Sequence, residues 1–180
     1  MNLPNFITLC RILMIPFFIN FLVYNYNLYA FGVFLLAGIS DALDGFIART
    51  SKKKTRLGTI LDPMADKLLL SSSFLTMTII QKMPVWVSII VISRDIIIII
   101  GALMLLLFYE GLNISPSILG KGTTLFQILY VILTLLFLVL EKDVAVLSPL
   151  LWITIGLTVV SGIQYIYIWF KLLNSNDKQS

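Results

Sequence analysis

The chain has 180 residues, 59% of them apolar and only 12% charged, with a formal net charge of +4. Soluble domains carry charge on about a quarter of their residues, so this composition excludes a water-soluble globule and makes lipid the solvent. Histidine is absent and Cys10 is the single cysteine. That excludes an internal disulfide, a Cys/His zinc cluster and any histidine nucleophile or base, the phospholipase-D type of transfer included.

A helix that crosses a bilayer needs about 20 largely apolar residues. Six segments meet this in chain order, at roughly 6–25, 28–48, 58–81, 84–108, 117–140 and 146–171, and predict an all-α integral membrane protein with six transmembrane helices. Pro4 and Asn5 are expected to start a short interfacial helix before the first span. No basic residue precedes Arg11 and no small-x-small cleavage site follows the apolar run, so the first span reads as retained rather than as a signal peptide. Tyr24 to Asn27, Lys82 to Pro84, Gly111 to Pro116 and Glu141 to Asp143 punctuate the spans. No repeat or low-complexity stretch interrupts them. Residues 1–173 read as one transmembrane domain and 174–180 as a polar C-terminal tail.

Basic residues report orientation. The loop from Arg49 to Arg56 joins the second and third spans and holds Arg49, Lys52, Lys53, Lys54 and Arg56. Lys121 lies near the junction of the fourth and fifth spans, and Lys171 and Lys178 follow the sixth. The opposite loops carry only Lys82 and the mixed Glu141, Lys142 and Asp143. Both termini and the basic loop are therefore expected to face the cytoplasm. The lysine run reads as a topology signal, and nothing in the pattern points to nucleic acid.

Of the nine acidic residues, Asp41, Asp44, Asp62, Asp66 and Asp95 fall inside apolar spans. An aspartate at a helix centre costs about 2.5–3.5 kcal/mol, less near the ends. Something must offset that cost. Asp41 and Asp44 are three residues apart on the second span, and Asp62 and Asp66 four apart on the third. Each pair shares a helix face, with Cβ atoms about 5–6 Å apart. A short loop makes the two helices antiparallel neighbours, so four carboxylates converge near one membrane face. Like charges that close require a cation. Oxygen ligands without nitrogen or sulfur suit Mg2+, Mn2+ or Ca2+, and four carboxylates suffice for two ions that clamp a phosphoryl group.

Gly45 follows Asp44 and Gly58 opens the third span, where missing side chains let helix backbones or a ligand approach. Ala48 leaves room beside Gly45, Arg49 offers a fork suited to phosphate oxygens, and Pro63 is tolerated in a membrane helix. Without histidine, a carboxylate in the site is the reasonable general base. Other readings exist for the parts. A buried aspartate can pair with Lys67 or Arg94 structurally, and a Gly–Ala pair can be packing alone. A cation transporter also explains buried acids, but not the fixed spacing of Gly45, Ala48 and Arg49, and no inverted repeat is visible.

The run Asp41-Ala-Leu-Asp44-Gly45-Phe-Ile-Ala48-Arg49, followed after eight residues by Gly58-Thr-Ile-Leu-Asp62-Pro-Met-Ala-Asp66, resembles the signature of the CDP-alcohol phosphatidyltransferase family. The likeness extends to Leu3-Pro4-Asn5, Thr8, Arg11, Ser93-Arg94-Asp95 and Gly120-Lys121. The resemblance implies a six-helix fold, usually a homodimer, in a bacterial inner or plasma membrane, with a polar cavity open to the cytoplasm. It implies that Asp41, Asp44, Asp62 and Asp66 hold two divalent cations, Mg2+ or Mn2+, and that Asp66 is the general base. Asn5, Thr8, Arg11, Gly45, Ala48, Arg49 and Gly58 would bind the CDP part of a CDP-diacylglycerol donor.

The acceptor is read from the later half. The opening and middle resemble phosphatidylglycerophosphate synthases, whose acceptor is glycerol 3-phosphate, and Arg94 and Lys121 are the candidates to hold its phosphate. Arg94 could instead be an aspartate's structural partner. Two positions depart from that branch, Ala102 where it tends to carry arginine and Thr123 where it tends to carry lysine. Ile92 to Asp95, Gly120 to Gln127 and Tyr165-Ile-Tyr167 are more similar to cardiolipin synthases of the same family, which use phosphatidylglycerol. Glycerol 3-phosphate is the favoured acceptor and phosphatidylglycerol the alternative.

Overall fold

A computed structural model describes the backbone of residues 3–51, 56–108 and 117–176, and the side chains of 8–41, 64–101 and 117–169. Among the described residues the chain is all α: α1 (Leu3–Val23), α2 (Asn27–Ser51), α3 (Arg56–Ile79), α4 (Val85–Phe108), α5 (Ile118–Val139) and α6 (Ser148–Asn176), with a 3-10 turn over Val144–Leu147. Six helices stand where six spans are expected. Length and apolarity sufficient to cross a bilayer are met among the described residues by two stretches, Ile118–Val139 and Val144–Trp169. Thr8–Val23 and Asn27–Asp41 are shorter apolar helices. On α3 the apolar run is interrupted by Asp66 and Lys67. No break separates the expected interfacial helix from the first span. The helix is continuous from Leu3, with Pro4 in its first turn where a missing N–H costs nothing. At the other end α6 continues to Asn176, into the segment read as tail.

The helices form two compact units. The first contains α1, α2, α3 and residues 131–147, with α1 packed against both α2 and α3. Its core follows helical spacing: Phe18 and Leu22 on α1, Ala30, Phe34 and Ala37 on α2, and Phe74 and Met77 on α3 are buried. The rings of Phe18 and Phe34 meet at 5.8 Å. The opposite faces stay apolar too, with Leu9, Leu13, Phe17, Leu36 and Ile39 all exposed. A helix apolar on every side is stable only in a core or in lipid.

One end of this unit is closed by three similar caps. Asn25, Gln81 and Glu141 end α1, α3 and α5 with φ of 62°, 59° and 53°. Each is followed by a six-to-one bond, Tyr26 N–H to Phe21 O (2.8 Å), Lys82 N–H to Met77 O (2.9 Å) and Lys142 N–H to Phe137 O (2.9 Å). This is the Schellman arrangement, which satisfies the last carbonyls of a helix. Asn27 Nδ2 at the start of α2 donates to Leu138 O at 3.2 Å. A cavity of about 230 Å3 lies among Asn25, Asn27, Lys82, Glu141 and Lys142.

The second unit contains α4, residues 118–130 of α5, and α6, with α4 packed on α6. Here the buried face mixes apolar side chains such as Val87, Val91 and Ile155 with many polar ones. Ser88, Arg94 and Asp95 on α4, Thr123 and Gln127 on α5, and Thr154, Thr158 and Ser161 on α6 are all buried, whereas Ile96, Ile99, Ile100, Trp152 and Ile163 are exposed. Gln127 Nε2 donates to Thr158 Oγ1 at 3.2 Å. Side-chain hydrogen bonds between helices are a mode of association suited to lipid, where burying apolar surface adds little.

Candidate active site

Arg11, Asp41 and Asp66 come from three different helices of the first unit. Arg11 Nη1 lies 2.9 Å from Asp41 Oδ1 and 2.5 Å from Asp66 Oδ1. One nitrogen therefore draws together a carboxylate from α2 and one from α3, the two helices against which α1 packs. The guanidinium is buried at 1% exposure, while the two carboxylates keep 44% and 41% of their side-chain surface. They are open to a ligand on the side away from Arg11. Among the described residues Arg11 Nε and Nη2 have no hydrogen-bond partner. Thr8, one turn earlier on α1, is fully buried.

This arrangement fits a divalent cation by its donor set. Two hard, half-exposed carboxylates already share one positive group, and the chemistry of the pair is oxygen only. Among the described residues no three acidic, cysteine or histidine side chains gather. Asp44 and Asp62, which would complete the set of four, have side chains outside the described residues, as do Asn5, Gly45, Ala48, Arg49 and Gly58. The backbone is helical at each of these positions.

The two acceptor candidates belong to the second unit. Arg94 is buried and pairs with Asp95, Nη1 to Oδ1 at 2.7 Å. Its Nη2 donates to Ser161 Oγ at 2.8 Å. The Tyr165 ring centroid lies 5.9 Å from Arg94 Cζ, within cation–π range. Lys121, in the first turn of α5, is exposed. Thr123 is fully buried, and its hydroxyl is shared between Leu119 O at 2.8 Å and Leu157 O at 3.1 Å. Sequence reasoning did not find Ser161 as a partner of Arg94. The signal available was the spacing of Ser161 and Tyr165, one turn apart on one face of α6.

Comparison with known proteins bears on this site. The CDP-alcohol phosphatidyltransferase family profile matches residues 1–160, which include every candidate metal-, donor- and acceptor-binding residue named above. A Bacillus subtilis protein named CDP-diacylglycerol–glycerol-3-phosphate 3-phosphatidyltransferase is 33% identical, over 97% of this chain and 99% of its own. An Aquifex aeolicus protein of the same name is also 33% identical, over 96% and 98%. The human cardiolipin synthase (CMP-forming) is 30% identical over 91% of this chain and 60% of its own length. With its signature, its paired aspartates and relatives matched nearly end to end, the chain belongs to the CDP-alcohol phosphatidyltransferase family of membrane enzymes.

Proposed function

We propose that the chain transfers the phosphatidyl group of CDP-diacylglycerol to glycerol 3-phosphate, giving phosphatidylglycerophosphate and CMP. The reaction would take place at the cytoplasmic face of a bacterial inner membrane, in a homodimer. The observation that carries this reading is the convergence of Asp41 and Asp66 from separate helices on buried Arg11, inside the segment that matches the family. The choice of acceptor is supported by the names of the Bacillus and Aquifex relatives, which match over nearly their whole length.

Asp41, Asp44, Asp62 and Asp66 would hold two divalent ions, Mg2+ or Mn2+, which when bound supply charge neutralisation for the diphosphate and the departing CMP. Arg11 fixes the first and last of these carboxylates relative to each other. Asn5, Thr8, Arg11, Gly45, Ala48, Arg49 and Gly58 take the CDP moiety, and the acyl chains stay in lipid. Asp66 accepts the proton of the acceptor hydroxyl. That oxygen then bonds to the lipid-bearing phosphorus, and the bond from this phosphorus to the oxygen it shares with CMP breaks. CMP leaves with the electron pair, and Asp66 returns its proton to water. Positioning and electrostatics supply most of the rate in such transfers. Arg94 and Lys121 would hold the acceptor's own phosphate.

A second reading, cardiolipin synthesis from phosphatidylglycerol, is favoured by one observation. Thr123 stands where a second acceptor-binding lysine is expected, and it is buried with its hydroxyl turned to Leu157 O of α6. A dianionic acceptor gains from more positive charge than Lys121 and an Asp95-paired Arg94 provide. The test is a competition among glycerol 3-phosphate, phosphatidylglycerol, serine and inositol phosphate for one CDP-diacylglycerol pool, with lipid products identified by mass. Phosphatidylglycerophosphate and an equal amount of CMP, both dependent on Mg2+ or Mn2+, are expected. Cardiolipin as the main product selects the second reading, and absence of CMP with every acceptor refutes both.

A further inference from the structure

Ser161 and Tyr165 sit one turn apart on α6, both buried, and neither has a part in the chemistry above. Ser161 accepts from Arg94 Nη2. Tyr165 makes two contacts that point to different helices. Its ring lies against the Arg94 guanidinium on α4. Its Oη accepts the N–H of Ser117 at 3.2 Å, at the start of α5. Ser117 caps that helix: its Oγ accepts the Gly120 N–H at 3.0 Å, and its carbonyl accepts the Lys121 N–H at 3.1 Å. One side chain on α6 thus touches the cation of α4 and the turn of α5 that carries Lys121.

Gly120 makes the second contact possible. A Cβ placed there would lie 2.8 Å from Tyr165 Oη and 3.2 Å from Cε2, too near for the ring to stay where it is. The approach of α5 to α6 is therefore set by the missing side chain at Gly120, and the ring fills the space it leaves. A guanidinium at the end of three methylenes has many orientations, and a flat aromatic face beneath it selects among them.

We propose that Tyr165 is a positioning residue for the acceptor site. Through its ring it orients Arg94, through its hydroxyl it holds the capped turn below Lys121, and it so fixes the separation of the two cations that grip one acceptor phosphate. The inference rests on the assignment of Arg94 and Lys121 to that phosphate. It adds a residue that never touches substrate.

The test is CMP release with donor and acceptor each varied. Tyr165→Phe keeps the ring and loses the hydroxyl. Its acceptor KM rises about fivefold, with the KM for CDP-diacylglycerol unchanged and kcat within about twofold. Tyr165→Leu loses both contacts and raises the acceptor KM about thirtyfold. Gly120→Ala presses on the same hydroxyl from α5 and reproduces the effect of Tyr165→Phe, which keeps the question answerable if the leucine variant fails to insert. Lys121→Ala is the control. If it leaves the acceptor KM unchanged, the phosphate assignment fails and the positioning role with it. If Lys121→Ala raises that KM while Tyr165→Phe and Gly120→Ala do not, or if these two shift both substrates and kcat alike, the positioning role alone is overturned.

Discussion

Arg11 carries more of the site than its place in the sequence suggests. A guanidinium at 1% exposure is costly to bury without partners, and here the partners are two carboxylates on other helices. Arg11→Ala leaves those carboxylates facing each other without a cation, and is expected to lower stability by about 1–3 kcal/mol, a range for charged hydrogen bonds that allows for their partial exposure. Thermal unfolding in detergent measures this, and added Mg2+ or Mn2+ restores part of the loss if the same oxygens bind the ion. Asp66→Asn keeps the shape of the side chain and removes the proposed base. Turnover is expected to fall about 100-fold or more, while membrane insertion and CDP-diacylglycerol binding persist. Near-normal CMP release from that variant removes Asp66 as the proton acceptor.

Among the helices, the shared device is a Schellman cap built on residues other than glycine. Asn tolerates the left-handed region at Asn25, but Gln81 and Glu141 hold positive φ against the clash of their Cβ atoms. Gln81→Gly and Glu141→Gly are each expected to raise stability by about 0.5–1 kcal/mol, the Cβ relief being partly offset by the greater freedom of glycine in the unfolded chain. CMP release should not change, because Gln81 is in the first unit at the far end of α3 from Asp66, about 20 Å along the helix at 1.5 Å per residue. An equal loss of stability in both variants would show that the side chains at these caps contribute more than the strain costs.

At the scale of the molecule, each unit exposes apolar side chains, and the second unit buries many polar ones. Together with family membership this makes the chain a membrane protein. The excess of basic residues between α2 and α3 then predicts orientation. In a Cys10→Ala background, Lys53→Cys is expected to react with a membrane-impermeant maleimide only from the cytoplasmic side, and Gln81→Cys only from the other. Labelling of Lys53→Cys only from the opposite side would contradict the proposed cytoplasmic placement of the site.

Much of this was legible without coordinates. Composition set the solvent, apolar runs between Pro, Gly and Asn clusters located six helices to within a few residues, and the short link between α2 and α3 foretold that Asp41 and Asp66 would meet. These features are local, and helical periodicity or a brief connection is enough to project them into space. What the sequence could not show is which cation stands between those aspartates. Arg11 lies 30 residues before Asp41 and 55 before Asp66, and only the packing of α1 against both helices brings it there. The same holds for Arg94, whose charge was visible but whose partners Ser161 and Tyr165 lie on α6. Tertiary structure decided these contacts because a buried charge selects its partners by proximity in space, and sequence spacing reports proximity only within a helix or across a short turn.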